Sequence, residues 1–341
     1  MQNKHPYILE VQNLGKCFYD REKTGFFRRT ANQAVQNVSF EIRPRETFGI
    51  VGESGCGKST VAKLLVGLEK PDEGSIVFDG IRIDHLPERR LRLLRPRFQM
   101  VFQDSTSSLN SRKRILDILA EPMIYHGIVD KRDAAERVDE LLSMVGLPAN
   151  AKFRYPHEFS GGQKQRICIA RALSLNPELV VLDEPVSALD VSVQAQILNL
   201  LRDLQEKLGL AYLFIGHGLG AVHYISHRIA VMYRGRIVEC GDSEELFSHP
   251  IHPYTRALLD AAPSADYDTR NRERVVLNGD AANTEWTTGC AFMSRCPYTD
   301  ESCSRADFSL CRVEAGSSHL SSCSRAAQNA KGDAWCAPIH H

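Results

Sequence analysis

Residues 52–60 read Gly52-Glu53-Ser54-Gly55-Cys56-Gly57-Lys58-Ser59-Thr60. They satisfy the phosphate-loop pattern G-x-x-x-x-G-K-[ST]. The flanking sequence suits it. Thr47–Val51 (TFGIV) is apolar enough for a buried strand, and Val61, Leu64, Leu65 and Leu68 follow at helical spacing. A strand, a glycine loop and a helix start together make an anion cradle, because backbone N–H groups point inward and the helix dipole favours negative charge. Lys58 is placed to reach the β- and γ-phosphates of a nucleotide, and Ser59 to ligate Mg²⁺.

The rest of the chain is bounded by composition. It has 341 residues, more than one ordinary domain, and its 43 % apolar content suffices for a packed core. Lys plus Arg number 42, equal to Asp plus Glu at 42, so global charge makes no case for nucleic acid. No run of 18 apolar residues occurs, and the first residues, MQNKHPYILE, lack the apolar stretch of a secretory signal. A cytoplasmic location is the expectation. Six of the ten cysteines (Cys290, Cys296, Cys303, Cys311, Cys323 and Cys336) lie in the last 52 residues. In a reducing compartment such clustering favours metal over disulfides. Cys168 and Cys240 read as buried small hydrophobes.

Strands are expected at Ile8–Val11, Val38–Ile42, Ser75–Phe78, Phe98–Phe102, Leu179–Leu182, Tyr212–Ile215, Ile229–Tyr233 and Arg236–Val238. Asp20 to Gln33 reads as a surface loop. Its Phe26, Phe27, Arg28 and Arg29 are either a solvated tip or a contact for a partner or lipid surface. Helical spacing covers Ile115–Val145, the stretch from Ser160 to Leu175, and Val191–Leu208. Asp242 with Glu245 reads as an N-cap and its capping partner, and helical pattern ends near Ala262. The alternation argues for an α/β core with a helical insertion.

Two further segments carry chemistry. Leu179-Val180-Val181-Leu182-Asp183-Glu184 is an apolar strand ending in two carboxylates. Beside a phosphate loop, Asp183 would hold Mg²⁺ and Glu184 would orient or deprotonate the attacking water. On its own the pair would serve equally as a helix cap. Phe159-Ser160-Gly161-Gly162-Gln163 offers a good N-cap and two glycines at a helix start, a second anion cradle. One nucleotide does not need two complete cradles in one subunit. The economical solution is a dimer in which each cradle meets a nucleotide held by the other chain. A plain capped helix accounts for the pentapeptide alone.

Taken together, the chain resembles the nucleotide-binding subunit of an ABC transporter. Walker A matches residues 52–60, the Q-loop glutamine Gln103, the signature Ser160–Gln163, and Walker B Leu179–Asp183 followed by Glu184; the D-loop matches Ser187–Asp190 and the switch histidine His217. The resemblance implies a P-loop NTPase fold of ABC type, with an antiparallel β subdomain and an inserted helical subdomain over about residues 105–175. The cassette would span residues 1–262, and a cysteine-rich extension residues 263–341. It implies ATP as substrate with Mg²⁺ held through Ser59, Gln103 and Asp183. It makes Glu184, Gln103 and His217 the catalytic set. Gly52, Ser54, Gly55, Cys56, Gly57, Lys58, Ser59 and Thr60 would bind the phosphates, and Ser160, Gly161, Gly162 and Gln163 those of the opposing subunit. Phe18 falls where the family stacks an aromatic on adenine, with Tyr19 as the neighbouring alternative. One departure is plain: the family's Ser-His-Asp around the switch histidine is Gly216-His217-Gly218 here.

His249–Leu259 (HPIHPYTRALL), together with Gly289-Cys290-Ala291-Phe292 and Arg295-Cys296-Pro297, resembles the end of the ATPase subunits of oligopeptide and dipeptide importers. The resemblance implies a four-iron iron-sulfur cluster on Cys290, Cys296, Cys303 and Cys323, with Zn²⁺ as the alternative and Cys311 as a competing thiol. Cys336 and the terminal His340-His341 read as disordered tail. The implied function is an ATPase, peripheral on the cytoplasmic face of the inner membrane, that energises import of peptides or similar small solutes. Its partners would be an identical or different second ATPase, two transmembrane permease subunits and, through them, an extracytoplasmic solute-binding protein. The alternative is a soluble ABC ATPase with a metal-binding sensory tail.

Overall fold

The computed structural model describes residues 5–20, 30–261, 289–305, 309–313 and 317–323. Phe26, Phe27, Arg28, Arg29, Cys336, His340 and His341 lie outside these residues. Three apolar runs, β3 (Thr47–Val51), β7 (Leu179–Asp183) and β8 (Ala211–Gly216), are buried along their whole length. Continuous burial means that both faces of their sheet are covered, as in a parallel α/β sheet. β3 pairs in parallel with β8 and with β9 (Arg228–Tyr233), while β7 pairs in parallel with β8 and with β6 (Phe98–Val101). β10 (Arg236–Asp242) adds antiparallel to β9.

Side chains of successive residues divide between the two faces of this sheet. Val180, Leu182, Tyr212 and Phe214 join a core with the helices, whereas Leu179, Val181, Leu213 and Ile215 join a core with a second, smaller sheet. That smaller sheet is antiparallel, in the order β2 (Thr30–Ile42), β1 (Leu9–Asp20), β4 (Glu73–Phe78) and β5 (Ile81–Arg82). Phe40 of β2 stacks on Phe48 of β3, ring centroids 4.9 Å apart, and so joins the two sheets. The loop expected from Asp20 to Gln33 is shorter than its polarity suggests. Cys17, Phe18 and Tyr19 pair with Gln33, Asn32 and Ala31, so cross-strand bonding overrides weak β-propensity.

The helices are α1 (Lys58–Leu65), α2 (Glu88–Leu94), α3 (Ser105–Ser108), α4 (Ile115–Tyr125), α5 (Ala134–Met144), α6 (Gly161–Leu173), α7 (Val191–Leu208), α8 (Leu219–Ile225), α9 (Ser243–Ser248) and α10 (Pro253–Ala261). The helical pattern over Ile115–Val145 is thus two helices. The first ends before Gly127, whose φ of 67° no helix continues through. α3 to α6 form the insertion, packed through Ile115, Leu119, Leu141, Leu142 and Ile167. Asp242 caps α9 by accepting from Glu244 N–H at 3.1 Å. Glu245 does not act as its capping partner; its carboxylate accepts from Ser317 Oγ at 3.0 Å.

The cysteine-rich segment is built onto this body. Its short strands β11 (Cys311–Arg312) and β12 (Leu320–Ser321) extend the large sheet, β12 pairing Ser321 with Glu239 and Leu320 with Cys240. The resulting order is β11-β12-β10-β9-β3-β8-β7-β6. Beneath the junction, His319 Nε2 lies 2.7 Å from Glu239 Oε1, with both side chains out of solvent.

Candidate functional site: a nucleotide cleft at the carboxyl ends of the parallel strands

The phosphate loop leaves β3 and enters α1, and two of its glycines are required by contact. A Cβ on Gly52 would lie 2.1 Å from Met232 O, and one on Gly57 would lie 2.1 Å from Ala34 O, with Gly57 also at a φ of 106°. The loop is therefore clamped between β9 and β2. Lys58 is only 4 % exposed. Its Nζ donates to Gly52 O at 2.7 Å and to Glu53 O at 2.9 Å, so the cation folds against the loop that frames the cradle. Burial pushes the Cys56 thiol up, and it packs as a neutral group beneath Lys58.

Glu53–Thr60 line a cleft of 960 Å³, large enough for a nucleotide. Phe18, Gln103 and Glu184 line it as well. Phe18 is 38 % exposed with Lys16 Nζ 5.5 Å from its ring centroid, so it is a cleft aromatic and not a core residue. Tyr19, at 64 % exposed, is not among the lining residues.

At the strand ends, Ser59 Oγ donates to Asp183 Oδ1 at 3.0 Å. Burial, reinforced by the neighbouring Glu184 charge, raises the Asp183 carboxyl above its usual range, and the Ser59 bond opposes this. A buried carboxylate bonded to a hydroxyl, with a glutamine side chain nearby, is the hard-oxygen environment that magnesium takes. Ser59 and Gln103 line the nucleotide cleft and, with Asp183, also the adjoining 720 Å³ cleft, so the residues present fit that ion. Gln103 Nε2 donates to Glu184 Oε2 at 2.8 Å, and His217 Nδ1 lies 3.5 Å from the same oxygen. The Glu184 backbone sits at a φ of 47°, a strained region for a non-glycine residue, while its N–H donates to Ile215 O at 2.9 Å. The three residues expected to be catalytic thus meet at one carboxylate oxygen.

Ser160–Gln163 sit elsewhere. Ser160 Oγ accepts from Gln163 N–H at 3.4 Å, and Gln163 Oε1 accepts from Ser160 N–H at 3.1 Å, a reciprocal capping box at the start of α6. Ser160, Gly161 and Gln163 are exposed, and none of the four residues lines the cleft. Asp190 of the D-loop is the exposed N-cap residue of α7.

The tail thiols gather without forming a finished cage. Cys290 is pushed up to about 11, first by burial and then by the nearby thiols of Cys303, Cys323 and Cys296. Cys311 is exposed, its Sγ directed at Ser309 O. Among the described residues, no group of three or more His, Cys, Asp or Glu side chains is arranged to hold a metal ion.

Sequence reasoning missed part of the cleft. Asn32, Gln33, Ala34, Gln36 and Arg234–Arg236 line it because β2 and the β9–β10 turn fold over the loop. Gly235 N–H donates to Cys56 O at 2.8 Å. Tyr254, inside the HPYTRALL stretch, offers its hydroxyl to Glu53 N–H at 2.9 Å. The stretch was visible in the sequence, but its reach across 201 residues was not.

Comparison with known proteins agrees with this geometry. The ABC transporter family model matches residues 35–187, and the model for the C-terminal region of oligopeptide/dipeptide transporters matches residues 238–303. The oligopeptide transport ATP-binding protein AppF of Bacillus subtilis (strain 168) is 49 % identical over 301 residues, which are 87 % of this chain and 91 % of that protein. The glutathione import ATP-binding protein GsiA of Pectobacterium atrosepticum is 50 % identical over 272 residues, covering 79 % of this chain and 43 % of that longer protein. The dimeric post-hydrolysis structure of the ATP-binding cassette MJ0796 with ADP and Pi superposes with a TM-score of 0.61 at 28 % identity, over 69 % of this chain and 98 % of that one. The chain belongs to the ATP-binding proteins of ABC transporters, in the oligopeptide/dipeptide transporter group.

Proposed function

We propose that this chain hydrolyses ATP to power import of peptides, or small solutes of similar kind, through a separate membrane permease. The observation that carries the reading is the convergence of Gln103 and His217 on Glu184 Oε2, beside the Ser59–Asp183 pair. In that arrangement Glu184 takes a proton from water as the water oxygen attacks the γ-phosphorus. The bond to the β–γ bridging oxygen breaks, giving ADP and phosphate. Lys58 balances phosphate charge, and Phe18 offers a face to the base. Magnesium, bound through Ser59, Gln103 and Asp183, would neutralise charge on the phosphates. His217 Nδ1 faces Glu184, and its exposed ring lines a small pocket beside the cleft with Glu184 and Gly218. From there it would reach the γ-phosphate once the nucleotide and the second chain are in place.

The outward-facing capping box of α6 supports a head-to-tail pair of ATPase chains, identical or different, with Ser160–Gln163 completing the partner's site. A second cleft of 720 Å³ lies beside Gln103, lined by Phe102, Gln103, Ser107, Ser108 and Arg171. It separates the sheet from the helical insertion, and it suits a permease segment whose movement would be felt at Gln103. Among the described residues no helix is long and apolar enough to cross a membrane. Attachment to the cytoplasmic face of the inner membrane would come through the permease, and the external solute-binding protein would be a partner at one remove. The relatives' names attach oligopeptide to one protein and glutathione to another. On this reading the permease and receptor would select the solute, and the site in this chain is for ATP.

The gathered thiols support a smaller proposal, that Cys290, Cys296, Cys303 and Cys323 together hold a four-iron cluster, which takes four thiolates. The cluster would tie a polar segment to the edge of β10 and has no role in hydrolysis. Anaerobic preparation with iron, sulfide and zinc analysis tests it: zinc without iron gives the alternative metal, and loss of metal in Cys311→Ser overturns the ligand set. Mg-ATP turnover of the purified chain tests the ATPase, and recovery of permease subunits with it from native membranes tests the coupling to import. An active chain that brings no membrane subunit with it from native membranes would favour the soluble ATPase with a sensory tail.

A further inference from the structure

The cysteine-rich segment touches the phosphate loop directly. Arg295, in the turn between Cys290 and Cys296, donates from both terminal nitrogens to Glu53: Nη1 to Oε2 at 2.8 Å and Nη2 to Oε1 at 3.0 Å. Its side chain is 6 % exposed and that of Glu53 27 %, so this bidentate pair is largely shielded. Arg295 also lies 5.9 Å from the ring centroid of Tyr233. Phe292, 1 % exposed, wedges against Tyr233 and Tyr254 with ring centroids 5.4 Å and 5.5 Å away, and so fixes the turn that carries Arg295.

Glu53 is the point where these contacts meet the nucleotide machinery. Its carboxylate takes Arg295, its N–H is held by Tyr254 Oη at 2.9 Å, and its carbonyl receives Lys58 Nζ at 2.9 Å. Without Arg295, a carboxylate at the cradle's rim would repel the incoming phosphates and would be free to draw Lys58 toward itself.

We infer that Arg295 is a positioning residue for the phosphate loop: it fixes Glu53, and through Glu53 the Lys58 ammonium, in the arrangement that receives the nucleotide. The inference rests on the reading of residues 52–60 as an ATP site. A segment outside the hydrolytic machinery thereby sets nucleotide affinity, and loosening the turn between Cys290 and Cys296 weakens ATP binding.

The experiment uses the full chain, with steady-state KM and kcat for Mg-ATP, titration with a fluorescent ATP analogue, and thermal melting. Arg295→Gln should raise KM and the analogue Kd about fivefold or more while kcat changes less. Arg295→Lys, which keeps the charge, should recover part of the affinity. A lower melting temperature with KM and Kd unchanged would mean a structural staple only and would overturn the inference. If Arg295→Gln does not fold, Glu53→Gln removes the same pair from the loop side. It should lower the effect of Arg295→Lys on KM to nothing, because both then act through one contact; independent, additive effects would overturn it. Lys58→Ala is the control for the parent reading: unchanged analogue affinity there defeats the phosphate-loop assignment itself, whereas loss there with intact Arg295→Gln affinity defeats only the role of Arg295.

Discussion

Two glycine-bearing helix starts in this chain face opposite fates. At α1 the loop is pressed between Met232 O and Ala34 O, and the cation it frames is 4 % exposed. At α6, Ser160, Gly161 and Gln163 are exposed, and the N–H groups of Ser160 and Gln163 are held by their own capping box. The first cradle is completed by its own chain, through β2, β9, Tyr254 and Arg295. The second lies apart from the cleft: among the described residues that line the cleft, none belongs to it. A preorganised donor set pointing away from the molecule is what a site shared between two chains requires.

The comparison breaks most easily at α1. Lys58→Ala should cut Mg-ATP turnover about 100-fold or more, because it removes the cation buried in the cradle. Turnover and analogue affinity both at wild-type values would end the distinction. The matching change at α6 is Ser160→Arg. It should leave analogue binding to the monomer within about twofold of wild type, yet lower turnover about tenfold or more, because only the shared site is blocked. Weakened binding in the monomer would mean that Ser160 serves its own chain's nucleotide. A smaller effect is expected from Gly162→Ala. A Cβ there would lie 2.5 Å from Val193 Cγ1, and the stiff valine on α7 cannot yield freely. The variant should lose about 1–3 kcal/mol in chemical denaturation. No loss would show that α6 and α7 are less tightly joined than the contact implies.

The contrast between the two cradles also explains what the sequence displayed. β3, the loop and α1 were legible because an apolar run, glycines at fixed offsets and 3.6-residue spacing are all local signals. The α6 capping box was legible for the same reason: Ser160 and Gln163 are three residues apart. Long-range bonding was not legible. The strand pairing of Gln33 with Cys17 turned a polar stretch into β2. The two-residue strands β11 and β12 exist only because β10 offers an edge. Glu245 suited a cap by spacing but turned toward Ser317, 72 positions away. The Glu53–Arg295 pair joins residues 242 apart, and neither carries a pattern that names the other.

A third helix start sharpens the picture by lacking what the others have. α8 begins after Gly218, which has extended backbone (φ −84°, ψ 106°), no side-chain cap and open space where a Cβ would go. Gly218→Asp restores the acid usual in the family and should add only about 0.3 kcal/mol of stability by capping α8. A thermal melt with no gain would show that the turn after His217 is held by something other than its cap.

The central claim is that Glu184 removes the proton and that two chains close around ATP. Glu184→Gln keeps the side chain's size and abolishes the base. Sizing chromatography of this variant with Mg-ATP measures the claim most directly. The account predicts an ATP-dependent dimer that persists, disappears when Ser160→Arg is added, and turns ATP over far more slowly than wild type. A monomer at saturating Mg-ATP, or a dimer indifferent to nucleotide and to Ser160→Arg, would contradict it.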